Sequence, residues 1–388
     1  VIILTARVTS LNKTRETKGG MTLKELVNVR KVVNASGRMT KLGVSTPNES
    51  VLAAMNEGAA QYVVIDELLR AVNGEIATLT GAGAACVVAS ASSGIVLTVA
   101  SLIGQSDVAR IDHPNAYNTG RPNEIVLLKG HNINYGAAIE TMINLGGGIV
   151  KEVGSANLAT VEELEAAINE QTLALFYVKS HHAVQKNMVS WQAMIEVAHK
   201  YELPIIIDAA AEEDLRTYNE AGADYVIYSG TKALEGPTSG FVLTQTLEQA
   251  DNIALQYHGI GRAMKVGKET LYGILQAVKN YVTNKQDPPV SVADLEDFME
   301  KVDTIDGLTA TWDADEAGRS INRVALHVDE DAYGQSAKTL NKVLQAGDPA
   351  IFVRDYQANN GVLSIDQRPL LPGDLTIIYD KLREEKRN

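Results

Sequence analysis

Tyr225-Val-Ile-Tyr-Ser-Gly-Thr-Lys-Ala-Leu-Glu-Gly-Pro-Thr-Ser-Gly240 is the stretch from which the rest of this chain is best read. Tyr225 to Tyr228, aromatic and β-branched, predict a short buried strand, and Ser229, Gly230 and Thr231 then turn the chain so that Lys232 stands at the strand's carboxyl end. An ammonium group in an apolar cleft is costly to keep charged. Its pKa falls there, and the free amine becomes a nucleophile toward an aldehyde, the condition for a Schiff base. On spacing alone the ordinary reading is a solvated loop lysine; the surroundings favour chemistry.

Working outward, short strands and helices alternate. Strands are predicted at 85–89, 125–128, 173–178, 204–208, 225–228 and 241–244, and helices at 95–103, 138–145, 160 onward, 190–201 and 212–221. Such alternation predicts an α/β fold with a mostly parallel sheet covered on both faces, whose ligand lies outside the strands' carboxyl ends. Ser92, His131, Lys179 to His182, Asp208 and Lys232 all fall at those ends. Ser90-Ala-Ser-Ser-Gly94 joins a strand to a helix N-terminus, where main-chain N–H groups make an anion cup from Ser92, Ser93 and Gly94. Plain N-capping by Ser92 or Ser93 is the competing reading. Asp208 ends Ile205-Ile-Ile-Asp and is either a turn residue or a carboxylate that holds a proton on a pyridine nitrogen. Ala210 leaves room beside it for a flat ring, Ser229 adds a hydroxyl at the phosphate end, and His131 or Tyr135 can stack on the opposite face.

At the amino terminus, residues 1–20 form an atypical extension ending in Gly19-Gly20, with Met21 as an alternative start. Residues 21–50 read as an arm: a Thr22-x-x-Glu25 capping pattern opens a short helix, and 32–43 look too irregular for a strand and suit a surface loop. One helix is expected from about Ser50 to Val72. Residues 51–283 make the large domain, Asn284-Lys-Gln-Asp-Pro-Pro289 a linker after a helix near 269–281, and 284–388 a smaller domain with a strand at 323–328. The charge run 381–388 reads as a solvated tail.

The 388 residues are 45% hydrophobic and carry a net charge of −13, an ordinary globular composition whose field repels polyanions. Nucleic acid is therefore not an expected partner. The single cysteine, Cys86, excludes an internal disulfide and a multi-cysteine metal site, and reads as buried filler. No apolar run reaches the roughly 18 residues of a membrane span, so a cytoplasmic protein is expected. The neighbouring His181 and His182 have no third ligand in view, and no metal site is expected.

Several segments in order carry a closer resemblance: Asn34-Ala-Ser-Gly-Arg-Met-Thr-Lys-Leu-Gly43, Lys129-Gly-His131, Tyr177-Val-Lys-Ser-His-His-Ala-Val-Gln-Lys186, Asp208-Ala-Ala-Ala-Glu-Glu-Asp-Leu215, Tyr228 to Gly240, and Gly259-Ile-Gly-Arg-Ala-Met-Lys-Val-Gly-Lys-Glu269. From about Val32 to Tyr281 the chain resembles the D-glucosaminate-6-phosphate ammonia-lyase family, relatives of L-seryl-tRNA selenium transferase on the fold type I, aspartate aminotransferase-like scaffold. The resemblance implies pyridoxal 5'-phosphate as cofactor, Lys232 as its Schiff-base lysine and Asp208 as the partner of its ring nitrogen. It implies elimination from a small phosphorylated amino sugar acid, with Lys232 as base and His181 or His182 as acid for the leaving hydroxyl. Arg262, Lys265 and Lys268, backed by Lys179 and Lys186, are candidate substrate binders, as are Arg38 and Lys41 in the arm. Arg368 is a candidate for the substrate carboxylate. At least a homodimer is implied too. Two alternatives stay open: a selenium transferase, which would need a basic face for tRNA, and a cofactor-binding protein without lyase activity.

Overall fold

A computed structural model describes residue 27 and residues 29–283, 288–314 and 321–386. The expected Thr22-x-x-Glu25 helix, the 1–20 extension and most of the 284–289 linker lie outside these. After an amino-terminal strand β1 (Val32–Ala35), the chain builds a sheet from β2 (Ala84–Val88), β3 (Glu124–Leu128), β4 (Ile149–Val153), β5 (Thr172–Val178), β6 (Ile205–Asp208), β7 (Tyr225–Ser229) and β8 (Gly240–Thr244). Its spatial order is β2-β8-β7-β6-β5-β3-β4, with β8 antiparallel to both its neighbours and the remaining pairs parallel.

The parallel strands are apolar on both faces because helices cover both. Phe176, Val178, Ile206 and Ile227 pack toward the helix Ala91–Gly104, whereas Leu175, Tyr177, Ile205, Ile207, Val226 and Tyr228 join the core on the other side. Strand alternation puts Asp208 on the face of Ile206, toward that helix's N-terminus. The reversed β8 follows from chain length: Gly230–Ser239 is shorter than the dozen or so residues a parallel crossover takes, so the chain returns as a hairpin. Lys232 therefore sits in a hairpin connection, and its loop is closed by Gly236 N–H donating to Gly230 O at 2.8 Å.

A second sheet, β9 (Leu308–Asp313), β10 (Arg323–Val328) and β12 (Val362–Asp366), has the order β12-β10-β9, while β11 (Ala350–Val353) pairs in parallel with β1. Residues 32–35 are thus a strand, contrary to the loop expected; Val33 and Ala35 are wholly buried in the smaller core with Leu295, Phe298, Tyr333, Leu340 and Ile378. An arm strand paired to a segment more than 300 residues away leaves no local signal.

Three other differences have local causes. The helix expected from Ser50 is two, Glu49–Ala59 and Ile65–Thr80, with a break at 60–64. Only Thr217–Glu220 of the expected 212–221 helix forms, because Asp214 Oδ1 accepts from the N–H groups of Arg216 and Thr217 and starts the turn there. The predicted solvated tail begins inside the helix Asp374–Glu384, where Leu382, four residues after Ile378, is fully buried.

No helix among the described residues is long and apolar enough to cross a membrane. Nor does any group of three or more His, Cys, Asp or Glu side chains gather there as a metal site would need. Cys86 is fully buried, and burial pushes its thiol up to about 12.

Candidate active site

The carboxyl ends of β5, β6 and β7 and the N-terminus of the helix Ala91–Gly104 lie at one end of the sheet, where Ser92 meets Tyr135 and the charge of Lys232 acts on Asp208. Asp208 is buried, and burial raises its pKa while the charge of Lys232 pulls it back down. Lys232, half-buried, is therefore the countercharge to Asp208 across the end of the sheet. Ala210 N–H donates to Asp208 Oδ1 at 3.0 Å, which orients the carboxylate. A buried carboxylate suits a cationic N–H donor. Ser229 Oγ lies 3.1 Å from Thr231 Oγ1, beside the lysine.

The serine segment divides its labour differently from either sequence reading. The N-cap is Ser90, whose Oγ accepts from Ser93 N–H, while Ser93 Oγ accepts from Ser90 N–H at 2.8 Å; this is a capping box with serine at both ends. Ser93 is spent on the cap and buried. Gly94 N–H bonds Ser90 O within the helix, and a Cβ there would come within 3.0 Å of Ile227 Cγ2, so this glycine lets the helix lie close on the sheet. Neither is placed to hold an anion. What remains open is the first turn itself: no described residue accepts from the N–H groups of Ala91 and Ser92, and Ser92 Oγ pairs with Tyr135 OH at 3.0 Å. This fits a phosphate end.

His131 does not offer a stacking face. It is wholly buried, accepts from Val178 N–H at Nδ1 (3.3 Å) and meets Val184 O with Nε2 at 3.0 Å, so Nε2 carries the proton. Burial lowers its pKa to about 4, with nearby Lys179 adding to the effect, so the ring is neutral. Its ring also meets Tyr177 edge-on at 4.6 Å. With Val184 N–H donating to Gly130 O, His131 is the peg that fastens the 179–188 loop to the 129–131 turn. The half-buried Tyr135, whose pKa burial raises with Asp208 adding to the effect, is the other ring at this end of the sheet.

The pegged loop carries Lys179, His181, His182 and Lys186. The two histidine rings lie 4.0 Å apart, but His181 is half-buried and His182 and Lys186 are exposed. Lys179 follows β5 and its N–H bonds Asp208 O at 2.9 Å, so it stands next to the carboxylate's strand.

The predicted cations separate. Arg38 bonds Glu235 at 2.9 Å and lies 3.6 Å from Glu213, and Ser45 Oγ donates to Thr231 O at 2.7 Å; together they clasp the arm onto the Lys232 loop. Arg38 is thus committed to carboxylates of its own chain. Lys268 is spent as well, donating to Ala59 O at 2.8 Å and to Gln61 O at the end of the helix Glu49–Ala59. Arg262 and Lys265 line a cleft of about 810 Å³ with Ile65, Leu69, Ala250 and Tyr257, and this cleft includes none of Lys232, Asp208 or Ser92. Arg368 is gripped in two-pronged fashion by Asp366, Nε at 2.9 Å and Nη2 at 2.7 Å, and its Nη2 would lie 3.7 Å from a Cβ on Gly37. The arm thus passes beside Arg368. Lys41 is exposed on the arm.

Glu235 and Ser90 matter to this geometry and were not singled out from sequence. Ser90 had a signal, the Ser-x-x-Ser spacing; Glu235 meets Arg38 only through a tertiary contact.

Known proteins resemble this chain along most of its length. The family model described as SelA, L-seryl-tRNA selenium transferase, matches residues 32–306. A D-glucosaminate-6-phosphate ammonia lyase of Salmonella typhimurium is 44% identical, over 92% of this chain and 96% of that protein. A 5'-C-glycyluridine monooxygenase-decarboxylase of a Streptomyces species is 39% identical, over 91% and 89%. A solved structure of D-glucosaminate-6-phosphate ammonia-lyase superposes with a TM-score of 0.88 at 42% identity, over 94% of this chain and 98% of that one.

Proposed function

The chain belongs to the L-seryl-tRNA selenium transferase family, and we propose that it is a pyridoxal 5'-phosphate-dependent ammonia-lyase converting D-glucosaminate 6-phosphate to 2-keto-3-deoxygluconate 6-phosphate and ammonia. The match to the Salmonella enzyme over nearly the full length of both chains carries this reading. The Streptomyces relative is named for other chemistry, so the substrate must be tested and not assumed. With a net charge of −13, transfer on tRNA is disfavoured.

Pyridoxal 5'-phosphate, when bound, supplies an electron sink for the carbon that bears the substrate amine. In this reading Lys232 and Asp208 hold its two functional ends, Ala210 borders the ring, Tyr135 faces it, and Ser92 with the N–H groups of Ala91 and Ser92 takes its phosphate. Ser229 lies beside Lys232. Lys232 Nζ, freed of its proton, is the base that removes the proton from C2. His181 is the better placed of the two histidines to donate to the departing C3 hydroxyl, being the half-buried one. The water lost is regained when the nitrogen leaves as ammonia, so the overall change is redox-neutral. Asp366 orients Arg368 for the substrate carboxylate, and His131 keeps the histidine-bearing loop in place.

A homo-oligomer belongs to the same reading: exposed Tyr62, Val64, Ile65 and Leu247 flank the cleft lined by Arg262 and Lys265 and suit burial against a second copy. The test is ammonia release from D-glucosaminate 6-phosphate by the holoenzyme, beside Lys232→Ala. Release that needs Lys232 is expected; a holoenzyme that frees no ammonia from this substrate is not this lyase.

A further inference from the structure

The two groups assigned to the ends of the cofactor are not held equally by the sheet. Asp208 is the last residue of β6 and pairs with Ile227 on β7, so the ladder fixes it. Lys232 stands past the end of β7, in a turn outside the ladder. The segment that follows Asp208 is also irregular until Thr217. How these two stretches lie relative to each other is therefore decided by side chains.

One side chain reaches both. Arg38 Nη1 lies 3.6 Å from Glu213, five residues past Asp208, and Nη2 bonds Glu235, three residues past Lys232, at 2.9 Å. A planar guanidinium with forked donors spans two carboxylates in a fixed geometry, which the point charge of an ammonium does not. Arg38 is mostly buried, so solvent screens these contacts less than it would on an open surface. The arm that delivers it is anchored on both sides of it. Val33 and Ala35 are buried in the smaller core, and Ser45 Oγ bonds Thr231 O, the carbonyl just before Lys232. The far end of the tie is firm as well, because Tyr281 OH bonds Glu213 O at 2.6 Å and Tyr228 OH bonds Asp214 O at 2.8 Å.

The backbone at Glu235 shows that the lysine loop needs holding. Its φ is +52°, in the left-handed region that glycine and asparagine enter readily and glutamate does not. Its neighbours leave the chain little choice: Leu234 is buried in the large core, and Gly236 is packed so closely that a Cβ would stand 2.8 Å from Gly230 O and 3.0 Å from Ala277 Cβ. Strain of this kind persists only where the surroundings over-determine it. The ion pair to Arg38 is part of that surrounding, and a glycine at 235 could not make it.

We propose that Arg38 is a positioning residue for the reaction: by tying Glu213 to Glu235 it sets where Lys232 stands relative to Asp208. The proposal rests on the lyase reading only for its assay of turnover. The holoenzyme is compared with Arg38→Met, Arg38→Lys and Glu235→Gln by ammonia release, by the visible circular dichroism of the bound cofactor and by hydrogen exchange of the 230–239 loop. Arg38→Met and Glu235→Gln should each lower kcat roughly tenfold to a hundredfold, as for a misplaced reacting group, with KM within about threefold, and should weaken the dichroism and speed the exchange. Arg38→Lys, which keeps the charge without the fork, should restore part of kcat. Arg38→Met and Glu235→Gln change the local charge in opposite directions, so a purely electrostatic role would move kcat in opposite directions, and that outcome overturns the proposal. An Arg38→Met enzyme with wild-type kcat and dichroism overturns it too. If Arg38→Met does not fold, Glu235→Gln decides, since it releases one end of the tie alone. A wild type that frees no ammonia refutes the lyase reading, and the dichroism and exchange of the variants then decide this proposal by themselves.

Discussion

Replacing His131 by glutamine tests how much stability a buried neutral imidazole contributes and how that contribution moves with pH. The ring's pKa is about 4 against an ordinary 6.5. A base with a depressed pKa favours the folded state while it is neutral. Its contribution is whole above pH 6.5 and is lost as pH falls through 4. Linkage over those values gives about 2 kcal/mol lost by pH 5 and about 3 by pH 4 from this one group. The substitution itself leaves the Val184 carbonyl and the Val178 N–H poorly paired in a buried place, about 1–3 kcal/mol each at pH 8. The wild type and His131→Gln should therefore differ most at high pH and converge as the medium is acidified. Urea unfolding at pH 8, 6.5 and 5, followed by tryptophan emission, reads this out. A gap that stays constant from pH 8 to pH 5 would refute the reasoning, because the imidazole would then not be titrating between those limits.

Two further substitutions probe packing and charge. Gly94→Ala places a methyl 3.0 Å from Ile227 Cγ2 and 3.4 Å from Val242 Cγ2, and should lower stability by about 1–3 kcal/mol, read as a fall in Tm; an unchanged Tm would mean the helix is free to lift from the sheet. Asp366→Asn removes the carboxylate that Arg323 and Arg368 share; its shift from 3.8 to about 2 corresponds to about 2 kcal/mol, present above pH 4 and lost as pH falls through 2. Calorimetric unfolding at pH 7 should show at least that loss, and a neutral result would mean that the cluster is not electrostatically strained.

The sequence by itself determined the alternation of strands and helices, the placing of Lys232 and Asp208 at strand ends, and the helix N-terminus after β2. These are local properties: β-branched runs, a hairpin's turn residues and small polar residues before an apolar helix declare themselves within a few positions. Tertiary structure decided the rest. Val32–Ala35 is a strand only because β11 lies alongside it, and Arg38 meets Glu235 only because that strand carries the arm across the molecule. His131 changed from a candidate stacking ring to a buried peg once Val178 and Val184 closed around it. Lys268 left the substrate because a helix end stood nearer. Arg323 had no signal in its own neighbourhood. It meets Asp366 because β10 and β12 pair, and a carboxylate's partners are the groups that the fold brings within about 3 Å of its oxygens, not those close to it along the chain.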